Sequence, residues 1–347
     1  MFTERLEPER LTRAELDDYL ARGWYRIGRA LITTEYLVSG GQLRSTVWTR
    51  LDLKAHRFRP SLRKQMARVA RRFRVEVGEH IIDEEHEQLY ARYREHVGGE
   101  RARTLHAVLG GDEGRALFET REIRLFDGGR LVAFSWFDLG EDSLQSLIGV
   151  YDPDYRRFGL GFHTMLLEIA HGAELGMRYH YSGYVLCDHP SMDYKLRVGE
   201  LEYLDPKTGL WVSESPYSAG NSPAEILRRR LGAAARALTR TGTPYLVALN
   251  SALEIPGLKE QIPGCTTVPI LVMCPAEDRT GVLVTWEEEP GHYALLRGVP
   301  LTVTIEDGPG DEPLRVHAFL VHDRMAERGS AEEAAHLVAL GAAGLVE

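Results

Sequence analysis

The chain has 347 residues, 44% of them hydrophobic, with 34 glycines and a formal net charge of −9. That composition is too apolar for a disordered chain and long enough for two or three domains, and its acidity argues against a uniformly basic nucleic-acid binder. No apolar run approaches the roughly 20 residues of a membrane helix, the start Met1-Phe2-Thr3-Glu4-Arg5 does not resemble a signal peptide, and Cys187, Cys265 and Cys274 are too scattered for a disulfide framework or a zinc site, so a cytoplasmic protein with no membrane partner and no bound metal is expected.

Thr12-Arg13-Ala14-Glu15 reads as a capping box opening a helix with Leu16, Tyr19 and Leu20 as its apolar stripe. Trp24 to Tyr36 and Ser45 to Leu53 read as strands, with Gly40-Gly41 as a turn between them. From Lys54 to Arg74 no acidic residue interrupts a basic stretch that includes Arg57, Arg59, Arg63, Lys64, Arg68, Arg71 and Arg72. After Phe58-Arg59-Pro60-Ser61 the charges recur at helical spacing, leaving Met66, Val69, Ala70 and Phe73 for the opposite face. Like charges at i,i+4 repel, so this stripe is either a solvated face or a seat for an anion such as an RNA backbone. A second helix follows from Asp83 to Val97, then strands at Arg121 to Phe126, Arg130 to Leu139 and Leu144 to Val150.

The segment from Tyr151 to Glu202 concentrates the candidate chemistry. Arg156-Arg157-Phe158-Gly159-Leu160-Gly161 stands between the apolar run Leu147 to Val150 and the helical pattern Phe162, Met165, Leu166, Ile169, Ala170, Ala173. Strand, glycine turn and helix in that order place free N–H groups where an anionic ligand can approach the backbone. A strand from Met177 to Leu186 leads to Pro190-Ser191-Met192-Asp193-Tyr194-Lys195-Leu196-Arg197. Beyond Pro206, Ser222-Pro223-Ala224-Glu225 caps a helix, short strands alternate with turns, and Ser330-Ala331-Glu332-Glu333 caps a last helix, which together read as a separate α+β module.

The glycine turn fits the Arg/Gln-x-x-Gly-x-Gly pattern of the GCN5-related N-acetyltransferase fold. Tyr151-Asp152-Pro153-Asp154, Leu160-Gly161, Glu174-Leu175-Gly176, Gly183-Tyr184 and Pro190-x-Met192-x-Tyr194-Lys195-x-Arg197, followed by Leu201-Glu202, resemble the C-terminal half of the arginyl/leucyl-tRNA–protein transferases. Gly23-Trp24, Phe58-x-Pro60-Ser61 and Phe126 to Ala133 with Asp138 extend the likeness toward the N-terminus. Thr33 to Gln42, where that family carries a cysteine-rich cluster, has no cysteine.

The resemblance implies a mixed fold, α+β grading into α/β, with an acetyltransferase-like core at 76–210 and a small N-terminal domain with the basic helix at 1–75; it runs out after Pro206, and the module at 215–347 is read from the sequence pattern alone, without a role. The resemblance also implies transfer of a leucyl or arginyl group from charged tRNA to the N-terminal amine of an acceptor protein or peptide, with aminoacyl-tRNA as co-substrate and no cofactor. Asp138 would accept a proton or fix an ammonium, or merely close a turn; Tyr184 would donate to a developing oxyanion, or be core. Arg156, Arg157, Gly159 and Gly161 would meet anions. Lys195 and Arg197 would hold the acceptor-end phosphates of the tRNA or an acidic side chain, while Met192 and Tyr194 would wall a side-chain pocket. The rival readings are a coenzyme-A-dependent N-acyltransferase using acetyl-CoA and a catalytically inactive binding relative.

Overall fold

The computed structural model describes residues 3–97, 101–187, 189–218, 220–250, 258–275, 280–305 and 314–342. Strand β1 (Thr3–Leu6) precedes helix α1 (Arg13–Ala21), whose capping box is complete: Thr12 Oγ1 accepts from Glu15 N, and Glu15 reaches back to Thr12 N at 2.7 Å. The region read as two long strands is β2 (Tyr25–Ile27), β3 (Ala30–Thr34), β4 (Tyr36–Ser39) and β5 (Gln42–Asp52). The basic stretch forms α2 (Pro60–Ala70) and then β6 (Arg74–Glu79), a strand that the charge pattern concealed. Helices α3 (Glu84–Val97), α4 (Leu105–Leu109) and α5 (Gly111–Leu117) lead to the expected meander β7 (Thr120–Asp127), β8 (Arg130–Leu139) and β9 (Ser143–Tyr151). A 3-10 turn (Pro153–Phe158), α6 (Leu160–Glu174), β10 (Tyr179–Leu186) and a second 3-10 segment (Pro190–Arg197) follow, then β11 (Glu202–Leu204) and β12 (Trp211–Val212). The remainder is α7 (Pro223–Thr241), β13 (Leu246–Leu249), α8 (Leu258–Gln261), β14 (Ile270–Pro275), β15 (Gly281–Glu287), β16 (His292–Ile305), β17 (Leu314–Arg328) and α9 (Ala331–Ala342).

Two compact units result, drawn differently from the three domains expected. One comprises Arg5–Thr33 and Val47–Pro216; the other comprises Met1–Glu4, Thr34–Thr46 and Tyr217–Glu347. The basic helix therefore shares a unit with the acetyltransferase-like strands, because its apolar residues need their core: Leu62, Val69 and Phe73 bury against Ile123, Leu125, Val132 and the α6 residues Met165, Leu166 and Ile169. The opposite face of the meander, with Leu131, Phe134 and Trp136, buries Leu89, Tyr90 and Tyr93 of α3 and Leu105 and Leu109 of α4. Helices thus cover both faces of a sheet ordered β12-β11-β5-β10-β9-β8-β7-β6.

The central meander is antiparallel, whereas β10 pairs with β9 in parallel. That parallel register is short: it joins Tyr179, His180 and Tyr181 to Ser143, Leu144 and Gln145, and then the two strands part although each runs several residues further. An antiparallel meander followed by a helix and a splayed parallel pair is the acetyltransferase-like topology.

In the other unit, β13 to β17 form an antiparallel sheet in chain order, and α7 and α9 supply Leu227, Leu231, Leu238, Ala334 and Val338 to a core with Val272, Val284, Trp286, Tyr293 and Leu295. Glu287, His292 and Glu327 gather there within metal-ligand range, and Arg324 is ion-paired with both glutamates.

Candidate active site

The glycine turn is built from the end of β9. Asp152 is buried and accepts two hydrogen bonds from Arg92, at 2.8 and 3.0 Å, and another from Arg130, while its side chain caps Asp154 N at 3.0 Å. This fixes the entry into the 3-10 turn, which closes on Gly159 at φ +64°, the residue preceding α6. A Cβ on Gly161 would lie 3.0 Å from the Tyr151 ring, so the helix start approaches the strand as closely as glycine permits. Phe73, just after the basic helix, packs edge-on against Tyr155 and Phe158, with ring centroids 5.9 and 5.2 Å away.

Where β9 and β10 part, a cleft of about 500 Å³ opens, the size of a small-ligand site. Its walls are mostly aromatic and apolar, with Tyr93, Tyr151, Phe162, Met165, Met192 and Tyr194 among them. Polar groups reach it from α6 (Thr164, Glu168), from β9 and β10 (Ser146, Ser182), and from Lys195, Arg101 and Arg156.

Separated parallel strands expose unpaired backbone groups, and here a side chain caps each edge. On the β9 side the Tyr25 hydroxyl is within 3.0 Å of Ser146 O and 3.1 Å of Leu147 O. On the β10 side Lys195 Nζ donates to Ser182 O at 2.8 Å and Tyr184 O at 3.1 Å. Between these two carbonyls Gly183 adopts φ +86°, and a Cβ there would come within 3.0 Å of the Tyr25 ring. Burial lowers the Lys195 ammonium to a pKa of about 8, with the Glu168 carboxylate opposing the shift. Burial likewise pushes the Tyr194 hydroxyl up to about 12 and raises that of Tyr25.

Of the residues singled out in the sequence, Arg156, Gly159, Gly161, Met192, Tyr194 and Lys195 come together around this cleft. Arg157 is exposed and stacks on Phe158, and Arg197 stacks over Phe162 with its guanidinium 4.9 Å from the ring centroid. Tyr184 does not line the cleft; its ring packs on Trp48, centroid to centroid 5.3 Å, behind Lys195. Asp138 lies elsewhere. It is fully buried, ion-paired with Arg26 at 2.8 Å and hydrogen-bonded by Thr120 Oγ1 at 2.6 Å, and it does not line the cleft. Among the basic residues, Arg63, Lys64, Arg68 and Arg71 are exposed, Arg57 bends back to the carbonyls of Lys54 and His56, and Arg59 is the residue before α2. Arg72 is held by Asp127 at 2.6 Å.

Tyr25 and Glu168 are cleft residues that sequence reasoning passed over. Glu168 left a signal: Gly161, Thr164 and Glu168 recur at helical spacing, a polar row beside the apolar stripe. Tyr25 left none, since its partners lie more than a hundred residues away.

Residues 85–205 match the family model described as "Arginine-tRNA-protein transferase, C terminus". This segment carries every cleft residue named above except Tyr25. The chain is similar to the aspartate/glutamate leucyltransferase of Leptospira interrogans (serovar copenhageni), 42% identical over 83 residues, which are 23% of this chain and 32% of that protein. It is also similar to the aspartate/glutamate leucyltransferase of Ruegeria pomeroyi, 33% identical over 162 residues, which are 44% of this chain and 57% of that one. The matched regions thus span between about a third and just over half of these relatives' length. Among solved structures, FemX shares 10% identity at a TM-score of 0.36, covering 58% of this chain and 69% of FemX. L-PGS from Bacillus licheniformis shares 15% at 0.32, covering 51% of each.

Proposed function

We propose that this chain transfers an aminoacyl group, of the leucyl class, from charged tRNA to the N-terminal amine of an acceptor protein, one beginning with aspartate or glutamate. The observation that carries this is the coincidence of the matched segment with the cleft: residues 85–205 supply its floor, its aromatic walls and Lys195. The names of the two leucyltransferase relatives point to the donor and the acceptor.

In this reading the aminoacyl end of the tRNA enters at the glycine turn, where the first N–H groups of α6 and Arg156 face anionic oxygens. Met192, Tyr194 and Met165 surround its side chain. The acceptor amine, neutral in useful fraction near a pKa of about 7.7–8.0, attacks the ester carbonyl. A C–N bond forms, the bond to the ribose oxygen breaks, and the proton lost by nitrogen passes to that oxygen. Lys195 keeps a third N–H beyond the two given to carbonyls, and directs it at the developing oxyanion. The exposed face of α2 follows the RNA backbone.

The coenzyme-A alternative asks for an extended pantetheine arm, with amides that pair with a bare strand edge in the manner of an added strand. The hydroxyl of Tyr25 and the amine of Lys195 occupy those carbonyls, which favours the ester of a tRNA. Label transfer from a mixed pool of charged tRNAs to peptides of varied N-terminus tests the proposal. Labelled leucine on Asp- or Glu-initiated peptides is expected. Stabilisation by micromolar acetyl-CoA with no binding of charged tRNA would overturn it.

A further inference from the structure

Glu168 stands apart from the other buried acids of its unit. It projects from α6 on the same face as Gly161 and Thr164, lines the cleft, and is 1% exposed. Its hydrogen-bond partner among the described residues is His180 Nε2, at 3.3 Å. A carboxylate has about four acceptor positions, and a buried one left with a single long contact is costly unless a cation or further donors reach it. Lys195 borders the same cleft but turns its amine to the carbonyls of Ser182 and Tyr184. Asp138 and Asp152, by contrast, are each tied directly to arginine, and buried Glu122, held by His86 at 2.9 Å and Ile81 N at 3.2 Å, does not line the cleft.

We infer that Glu168 forms an ammonium subsite at the floor of the cleft, and that its ligand is the free α-ammonium of the donor's aminoacyl ester. This rests on the reading proposed above. Two amines enter such a reaction, and their chemistry separates them. The acceptor amine must lose its proton to attack, and a buried carboxylate against it would hold that proton on. The donor's α-amine takes no part in bond making, so it can remain charged throughout. A buried carboxylate beside Met165, with the ammonium of Lys195 elsewhere on the cleft wall, suits a ligand with a cation next to an apolar side chain and a carbonyl beyond it. Glu168 thereby makes the enzyme read the donor as an unblocked amino acid, a requirement separate from the side-chain pocket and from the tRNA.

The test uses the full chain and two pairs of ligands. At pH 6.5, leucinamide is expected to bind at least tenfold more tightly than N-acetyl-leucinamide, as a charge-assisted contact requires. Glu168→Gln should bring that ratio close to one, while Glu168→Asp, which keeps the charge, retains most of it. With leucyl-tRNA and N-acetyl-leucyl-tRNA as donors, wild type should prefer the unblocked donor, and Glu168→Gln should raise the KM for leucyl-tRNA more than it lowers kcat. Equal binding of the two amides by wild type, or an undiminished ratio in Glu168→Gln, overturns the subsite. Should Glu168→Gln fail to fold, the wild-type ratio and that of Glu168→Asp still decide: loss of discrimination in the latter, which keeps the carboxylate, also counts against the assignment. Discrimination between the amides without any leucyl transfer would instead sink the proposed function and leave the subsite standing.

Discussion

Two buried polar clusters in the same unit, one around Arg26 and Asp138 and the other around Glu168 and Lys195, show how differently a fold can treat its interior charges. The Arg26 guanidinium has five N–H donors, and its acceptors are Gly28 O at 2.7 Å, Thr120 Oγ1 at 2.9 Å, Asp138 Oδ1 at 2.8 Å, Leu109 O at 2.8 Å and Gly114 O at 3.1 Å. Those acceptors come from the first hairpin, the meander and the α4–α5 region, so this one side chain ties three parts of the chain together. Asp138 Oδ2 is also left without a hydrogen-bond partner, but Asp138 does not line the cleft. At the cleft itself Glu168 has one long contact and Lys195 a donor to spare. The difference teaches that burial and charge alone do not mark a site. What marks it is a valence left open toward a cavity.

The largest effect expected is at the cluster around Arg26, whose guanidinium is fully used. Asp138→Ala leaves Arg26 buried without its counter-ion, and breaking a buried pair in this way costs about 3–5 kcal/mol. The urea midpoint should fall accordingly, with m unchanged. A variant that unfolds like wild type yet has lost transfer would instead return Asp138 to the catalytic role its place in the sequence first suggested.

At the open cluster the balance reverses, and chemistry should suffer more than stability. Lys195→Met is expected to lower transfer roughly 100-fold, the scale for loss of one oxyanion donor, while costing less stability than Asp138→Ala. The pH profile gives a sharper reading. With a pKa of about 8 in the folded chain, against about 10.4 when unfolded, Lys195 loses the proton it donates as pH rises through 8, so transfer should decline on the alkaline side. Between those two values the unfolded chain binds more protons, so stability should rise with pH even as activity falls. Lys195→Arg, charged throughout, should remove the alkaline decline.

The contrast between the clusters also explains what could be read from the sequence. The glycine turn, α6, β10 and the Pro190–Arg197 segment were legible because each is set by local pattern: turn residues, a 3.6-residue apolar period, a run of aromatics. The cleft they frame was therefore half visible, through Arg156, Gly159, Gly161, Met192, Tyr194 and Lys195. Asp138 was placed correctly in a strand, but its partner Arg26 was not legible, because it lies 112 residues away in the chain. The strand β6 was passed over although Arg74-Val75-Glu76-Val77 alternates polar and apolar residues, because the run is short and continues the basic stretch of the preceding helix. Tyr25 belongs with these long-range effects. Tyr25→Phe keeps the ring against Gly183 and removes the hydroxyl, so it should cost about 1 kcal/mol of stability. If the hydroxyl is what keeps an extended arm off the β9 edge, the same variant should bind desulfo-coenzyme A measurably where wild type does not.

The same distinction between used and unused charge applies, with the smallest effect, to the basic helix. Arg63, Lys64 and Arg68 are exposed and have no ion-pair partner among the described residues, whereas Arg72 is engaged by Asp127 and lies over Phe158. The sequence treats them alike, as cations at helical spacing. If α2 follows an RNA backbone, only charges not already compensated release counterions when a phosphate replaces water. Each of Arg63→Ala and Arg68→Ala should then reduce the slope of log K against log salt by about 0.7–0.9. Arg72→Ala should change it by less than half of that, and should be felt instead as a slight loss of stability at the 3-10 turn. Binding isotherms for charged tRNA at four or five salt concentrations separate these outcomes. Equal slopes for wild type, Arg63→Ala and Arg68→Ala would assign the stripe to solvent, and an Arg72→Ala effect as large as the others would mean that its pairing with Asp127 opens when RNA binds.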